Sequence, residues 1–124
     1  MRFPRKLDVL TIHARLIAET GGSIGLRDEA LLESALASAE NRFRYEHADL
    51  VTCAATYAYH LAQAHAFVDG NKRIAAAITE IFIVSNGSQL TMSNAEIVHL
   101  FLKIAGGSLN RDEVERFLRA RIEK

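Results

Sequence analysis

Apolar positions in this chain recur at helical spacing almost throughout. Leu7, Leu10, Ala14 and Ile17 repeat every three or four residues, so a first helix is expected over residues 7–20, with Gly21-Gly22 closing it as a left-handed cap. Behind Asp28, whose carboxylate suits a helix start, Leu31, Leu32, Ala35 and Leu36 form a second stripe. That predicts a helix from residue 27 or 28 to about residue 39. Residues 41–49, "NRFRYEHAD", are polar with interleaved aromatics and read as a connecting loop, partly extended. "LVTCAATYAYHLAQA", residues 50–64, is apolar on nearly every face, the pattern of a central buried helix, and its alanines let neighbours approach closely. Helical character resumes near Asn71 and stops at Gly87, and "QLTM" reads as a brief extended piece. Ser93-x-x-Glu96 and Asn110-x-x-Glu113 are capping patterns. They open two more helices, over residues 94–105 and from 111 to about 122, the last turning Val114, Phe117, Leu118 and Ile122 inward. The expectation is an all-α chain of about six helices forming a single domain over residues 1–124, with almost no sheet.

Composition narrows the function without naming it. With 49% hydrophobic residues in 124, a core can form without staples. One cysteine, Cys53, allows no disulfide within the chain and suits a reducing cytosol. Fifteen basic residues balance fifteen acidic ones, so no overall field draws the protein to nucleic acid or to an anionic membrane. Any anion must then be held by local geometry. "MRFPRKLDVL" has no apolar stretch of the signal-peptide kind, and the longest apolar run, residues 74–84, contains Thr79 and Glu80 and is too short to span a bilayer. A cytoplasmic location is expected. No His or Cys pair has structural zinc spacing.

One stretch departs from this plain pattern. "HAFVDGNKR", residues 65–73, places an imidazole, a carboxylate, a glycine and two cations between two apolar helices. Gly70 permits a tight turn, and the helix that opens near Asn71 presents free backbone N–H groups from Gly70 to Arg73. A helix start after a glycine turn is an anion site, and Lys72 and Arg73 add positive charge where the helix dipole alone would disfavour it. Phosphate fits this best. A carboxylate beside a phosphate is repulsive unless a cation intervenes, so Asp69 reads as a Mg²⁺ ligand bridging to a nucleotide. His65 is the imidazole in reach by sequence, and an imidazole is the side chain best suited to a general base near neutral pH. Phe67 reads as an anchor inserted into the core. Together these groups describe transfer of a phosphorus-containing group to a hydroxyl.

"HAFVDGNKR" resembles the signature loop of the Fic/Doc family, H-x-F-x-(D/E)-(G/A)-N-(G/K)-R, and the lysine after asparagine resembles its death-on-curing (Doc) branch. "TGGSIGLRDEALLESAL", "LVTCAATYAYHLAQAHAFVDGNKRIAA" and "LTMSNAEIVHLFLKIAGGSLNRDEVERFL" are similar to that branch's first loop and second helix, its core helix with the motif, and its C-terminal helices. The resemblance implies a small helical toxin of a type II toxin–antitoxin system. In that branch the toxin is a kinase that uses ATP and Mg²⁺ to phosphorylate elongation factor Tu and stop translation. Carried over by position, His65 is the catalytic base, Asp69 the magnesium acid and Phe67 the anchor. Gly70 and Asn71 form the anion-binding turn, with Lys72 and Arg73 as phosphate contacts. The adenylyltransferases of the family carry a second arginine where this chain has Ala76, which argues for the kinase over the adenylylating alternative. Ile74 and Ala77 replace a threonine and an asparagine of the branch, and they motivate another alternative, a catalytically weak module that binds a nucleotide or a partner. No self-inhibiting (S/T)-x-x-x-E-(G/N) string is present, so the resemblance implies a separate antitoxin whose C-terminal tail folds beside the first helix and the motif loop.

Residues 41–49 fall at the family's target-docking flap, which would bring Arg44 and Tyr45 to the substrate. Arg27-Asp28 reads as a helix-start pair, with a tie of the first loop to the core as the alternative, and Gln63 as filler, with a contact to nucleotide or target as the alternative. His60 reads as a packing residue with one hydrogen bond, His13, His47 and His99 as ordinary, and Cys53 as inert. Glu80 is either solvent-facing or an interface residue.

Overall fold

The computed structural model describes all 124 residues. Six helices follow in order: α1 (Lys6–Thr20), α2 (Glu29–Glu46), α3 (Leu50–Ala64), α4 (Asn71–Ser85), α5 (Asn94–Ala105) and α6 (Arg111–Arg119). Two short strands, β1 (Gln89–Leu90) and β2 (Ile122–Glu123), pair antiparallel with Leu90 opposite Ile122. The all-α expectation holds. α3 is the hub, packed against α2, α4, α5 and α6. Its alanines explain this: Ala54, Ala55, Ala58 and Ala62 are fully buried, and so small a surface lets four helices close in. Tyr57 of α3 meets Phe82 of α4 edge-on, ring centroids 5.0 Å apart. Large core rings of this kind stabilise a fold by about 3–5 kcal/mol relative to alanine. α3 and α4 are thereby held rigidly on either side of the loop that joins them.

The helix starts follow local chemistry. Asp28, Asp49, Ser93 and Asn110 each accept the backbone N–H of the third residue of their helix, and the last two complete capping boxes with Glu96 and Glu113. α4 alone among α2–α6 has no side-chain cap.

The structure corrects four local expectations. α2 does not end near residue 39. It continues to Glu46, because Phe43 extends its apolar stripe onto Phe3, at 5.4 Å between rings, and Glu40–Arg44 and Arg42–Glu46 pair along its surface. The extended loop expected at 41–49 is therefore mostly helix. α1 faces the core through Val9, His13 and Ile17, and Leu7 is 73% exposed, so the buried stripe is rotated from the one its leucines suggest. Gly21 closes α1 at φ 84, ψ 170, which is not a left-handed helical cap. α6 stops at Arg119, and Ile122 pairs in the sheet instead of prolonging the helix.

Candidate active site

The turn from α3 to α4 is built from three chain segments. His65 ends α3 in the left-handed conformation, φ 49, a backbone state that costs a non-glycine residue about 1–2 kcal/mol. It is held there from outside: the Arg27 guanidinium donates through Nε and Nη2 to the His65 carbonyl, at 3.1 and 2.7 Å. Residues 25–28 run alongside the loop as a strand would. The Arg27 and Asp28 amides donate to the Ala66 carbonyl, the Val68 amide donates to the Gly25 carbonyl, and Leu26 bridges Phe67. The His65 side chain is left exposed.

Phe67 is buried, as an anchor should be, and stacks on the His13 ring at 3.8 Å, the planes 15° apart. Asn71 closes the loop on itself. Its Nδ2 donates to the Phe67 carbonyl and its Oδ1 accepts the Phe67 amide, at 2.9 and 3.0 Å. The Asn71 side chain is thus spent on bracing the turn, and what it offers an anion is its backbone N–H.

Gly70 turns the chain at φ 75, ψ 20, and α4 begins. The first intrahelical bond runs from the Ile74 amide to the Gly70 carbonyl at 2.9 Å, so the Asn71, Lys72 and Arg73 amides have no acceptor. Lys72 is exposed and makes no ion pair. Asp69 does not cap the helix. Its Oδ1 accepts the Gly70 amide at 2.7 Å, its Oδ2 accepts the Ser23 amide at 3.2 Å, and Arg73 Nη2 lies 3.7 Å from Oδ1. These hold the carboxyl below the usual carboxylate range, the Ser23 amide first, then that of Gly70, with the Arg73 charge adding to them. Gly22 makes this approach feasible: a Cβ there would stand 2.5 Å from Asp69 Oδ2. Arg73 Nη1 donates to the Thr20 hydroxyl and to the Gly21 carbonyl, tying the end of α1 to the start of α4.

The loop therefore assembles Asp69, Gly70, Asn71, Lys72 and Arg73 at one helix start and ends α3 on His65. It does not recruit Arg44 or Tyr45. Both lie in the last turns of α2 with their amides in a helix, Arg44 paired to Glu40 at 3.1 Å and Tyr45 80% exposed, so no strand-like flap exists there. His60 accepts from Arg111 and is pushed down by burial, Gln63 donates to the Ile104 carbonyl, and burial pushes the Cys53 thiol up to about 11, in keeping with packing roles. Sequence reasoning missed His13, Thr20, Gly22 and Ser23, and it allowed for Arg27 as a tie to the core without naming His65 as its partner. One signal was available: "GGSIG" holds more glycine than closing a helix requires.

No three His, Cys, Asp or Glu side chains converge to hold a metal by themselves. Asp69 is one partly exposed carboxylate beside open amides and a free cation. Such a donor set fits an ion like Mg²⁺, which is held by one or two carboxylates, phosphate oxygens and water. A groove of about 570 Å³ opens next to it between α1, α4 and α5. Leu16, Ala76, Ala77, Ile97 and Phe101 line it, Lys72 and Arg73 stand at one end, and the exposed Glu80 is on its wall.

Fold and loop together define a helical domain whose core helix is joined to the next by a turn with bare amides and two cations beside them. Residues 5–83, more than half of the chain, match the Fic/DOC family, and the chain belongs to that family. It is also 30% identical over 120 residues to "Protein kinase doc" of Escherichia phage P1, covering 96% of this chain and 94% of that protein.

Proposed function

We propose that this protein is a Doc-type protein kinase and the toxin of a type II toxin–antitoxin pair. It transfers the γ-phosphate of ATP to a serine or threonine hydroxyl of a target protein, with elongation factor Tu as the candidate, and so stops translation. The observation that carries this reading is the start of α4: three unpartnered amides with Lys72 and Arg73 beside them, adjoining the Asp69 carboxylate. The name and near full-length match of the phage relative support the kinase reading over adenylylation, as does Ala76 in place of a second arginine.

His65 takes the proton of the acceptor hydroxyl. The hydroxyl oxygen then forms its bond to the γ-phosphorus while the bond to the β,γ-bridging oxygen breaks, and ADP leaves. The amides of Asn71, Lys72 and Arg73, with the two side-chain cations, stabilise the charge that builds on the phosphoryl oxygens. Asp69 would hold Mg²⁺, which when bound neutralises charge between the phosphates. Arg73 must release Thr20 or Gly21 to reach a phosphate, since both now hold its guanidinium. That engagement, with Ile74 and Ala77, favours a second reading: a module that binds a nucleotide or partner with little turnover. No helix is long and apolar enough to cross a membrane, and action in the cytoplasm suits the target. The apolar groove between α1, α4 and α5 suits an amphipathic C-terminal tail of an antitoxin, reaching Lys72 and Arg73 with acidic residues.

The test is transfer of label from ATP carrying it on the γ- or the α-phosphate, with elongation factor Tu and with whole lysate. The γ-label is expected to reach protein, and His65→Ala is expected to lower the rate by about 10²–10⁴-fold. Label from the α position alone would replace the kinase with an adenylyltransferase. No label from either, with growth unaffected on expression, would favour the binding module.

A further inference from the structure

The motif does not contain everything that shapes the loop. His13 lies on α1, 56 residues from Asp69 in the chain, and is 3% exposed. A buried imidazole needs partners. Its ring lies flat on Phe67, and its Nε2–H donates to the Asp69 backbone carbonyl at 2.7 Å. That carbonyl is the one the Arg73 amide would use if α4 began one residue earlier, since a helical N–H bonds the carbonyl four residues back. The Arg73 amide makes no such bond, and the helix opens with Ile74 on Gly70. α1 backs directly on the turn: a Cβ on Gly70 would come within 3.1 Å of Ile17 Cδ1 and 3.4 Å of His13 Nε2.

We propose that His13 is a positioning residue for the site: by claiming the Asp69 carbonyl it sets where α4 starts, keeps the Arg73 amide free for phosphate and fixes the aim of the Asp69 carboxylate. The consequence for nucleotide rests on reading the loop as a Mg²⁺–phosphate site. The consequence for the helix start does not. Without the imidazole N–H, the Asp69 carbonyl loses its donor beside a free Arg73 amide. The helix then gains by extending backward, which turns Gly70 out of its left-handed state and swings Asp69 away from Ser23.

Two variants of the full chain separate the parts of the side chain. H13F keeps a ring on Phe67 and removes the donor, and H13Q keeps a donor of similar reach. Amide exchange by NMR and the affinity for Mg²⁺–ATP are read on each. In the wild type the Arg73 amide is expected to exchange as fast as that of Lys72, and far faster than that of Ile74. H13F is expected to slow Arg73 exchange and to weaken Mg²⁺–ATP binding by about tenfold, one hydrogen bond's worth. H13Q is expected to restore both, a rescue that a merely space-filling role would not produce. An Arg73 amide as protected in the wild type as that of Ile74 overturns the proposal without any variant, as does H13F with unchanged exchange, or H13Q no better than H13F. If the wild type binds no Mg²⁺–ATP, the phosphate reading fails, and the exchange data still decide the role of His13.

Discussion

α3 and α4 are neighbouring helices, each entered past an aspartate that an arginine attends, and they start in opposite ways. At α3 the Asp49 side chain accepts the Thr52 amide and takes a two-pronged bond from Arg119, at 2.8 and 3.2 Å. The Thr52 amide is capped and a carboxylate sits at the helix start, with α6 tied to it. At α4 the Asp69 side chain turns back to Ser23 and Gly70, Arg73 stays 3.7 Å away and reaches to Thr20 and Gly21, and the first amides are left bare. The same pair of charges caps one helix and leaves the other without a side-chain cap. An uncapped helix start lowers stability, so it persists where surrounding structure holds it. Here Arg27, His13 and Asn71 do the holding, through the carbonyls of His65, Asp69 and Phe67.

Substitutions at the two starts should therefore separate activity from stability. Among residues outside the motif the largest effect is expected from Gly22→Ala, whose methyl group would collide with Asp69 Oδ2 and displace the carboxylate. Misplacement on the scale of an ångström predicts a loss of about 10²-fold in phosphoryl transfer, read in the labelling assay, while thermal unfolding stays cooperative. Arg27→Ala removes the fork on the His65 carbonyl and is expected to lower kcat about tenfold, with Lys restoring little because a single ammonium does not reproduce the fork. At the capped start, Arg119→Ala should leave transfer unchanged.

The smallest effect is a matter of stability and pH. Arg119 holds the Asp49 carboxyl well below the usual carboxylate range. A carboxyl depressed in the folded state stabilises the fold above its unfolded value, near 3.9, and that contribution is lost as pH falls through the folded value. Both groups are about half exposed, so water screens the pair. Asp49→Asn, which can still cap Thr52, should cost less than about 1 kcal/mol at neutral pH. The gap to the wild type should narrow below about pH 4, as followed by denaturant unfolding.

What could be read from the sequence was what lies close together in it. The bounds of α3 and α5, both capping boxes and the open start of α4 follow from residues within a few positions of one another. The motif is contiguous, so the residues that form the loop were readable as well. What escaped depends on distant partners. α2 runs past Ala39 because Phe43 finds Phe3 across the fold, a contact no local pattern announces. His13 interrupts the apolar stripe of α1, so periodicity favoured Leu7, and its role emerges only when folding brings it to Asp69. A tie from Arg27 to the core was an alternative in the sequence, and its partner, His65, lies 38 residues away and was not legible there.

The most direct test of the open helix start is a titration of backbone amides with Mg²⁺–ATP, followed by NMR. The amides of Asn71, Lys72 and Arg73 are expected to shift together and to saturate at one dissociation constant, while those of Leu50, Val51 and Thr52 at the capped start stay in place. Shifts that leave residues 71–73 unmoved, or that fall equally on both helix starts, would contradict the account.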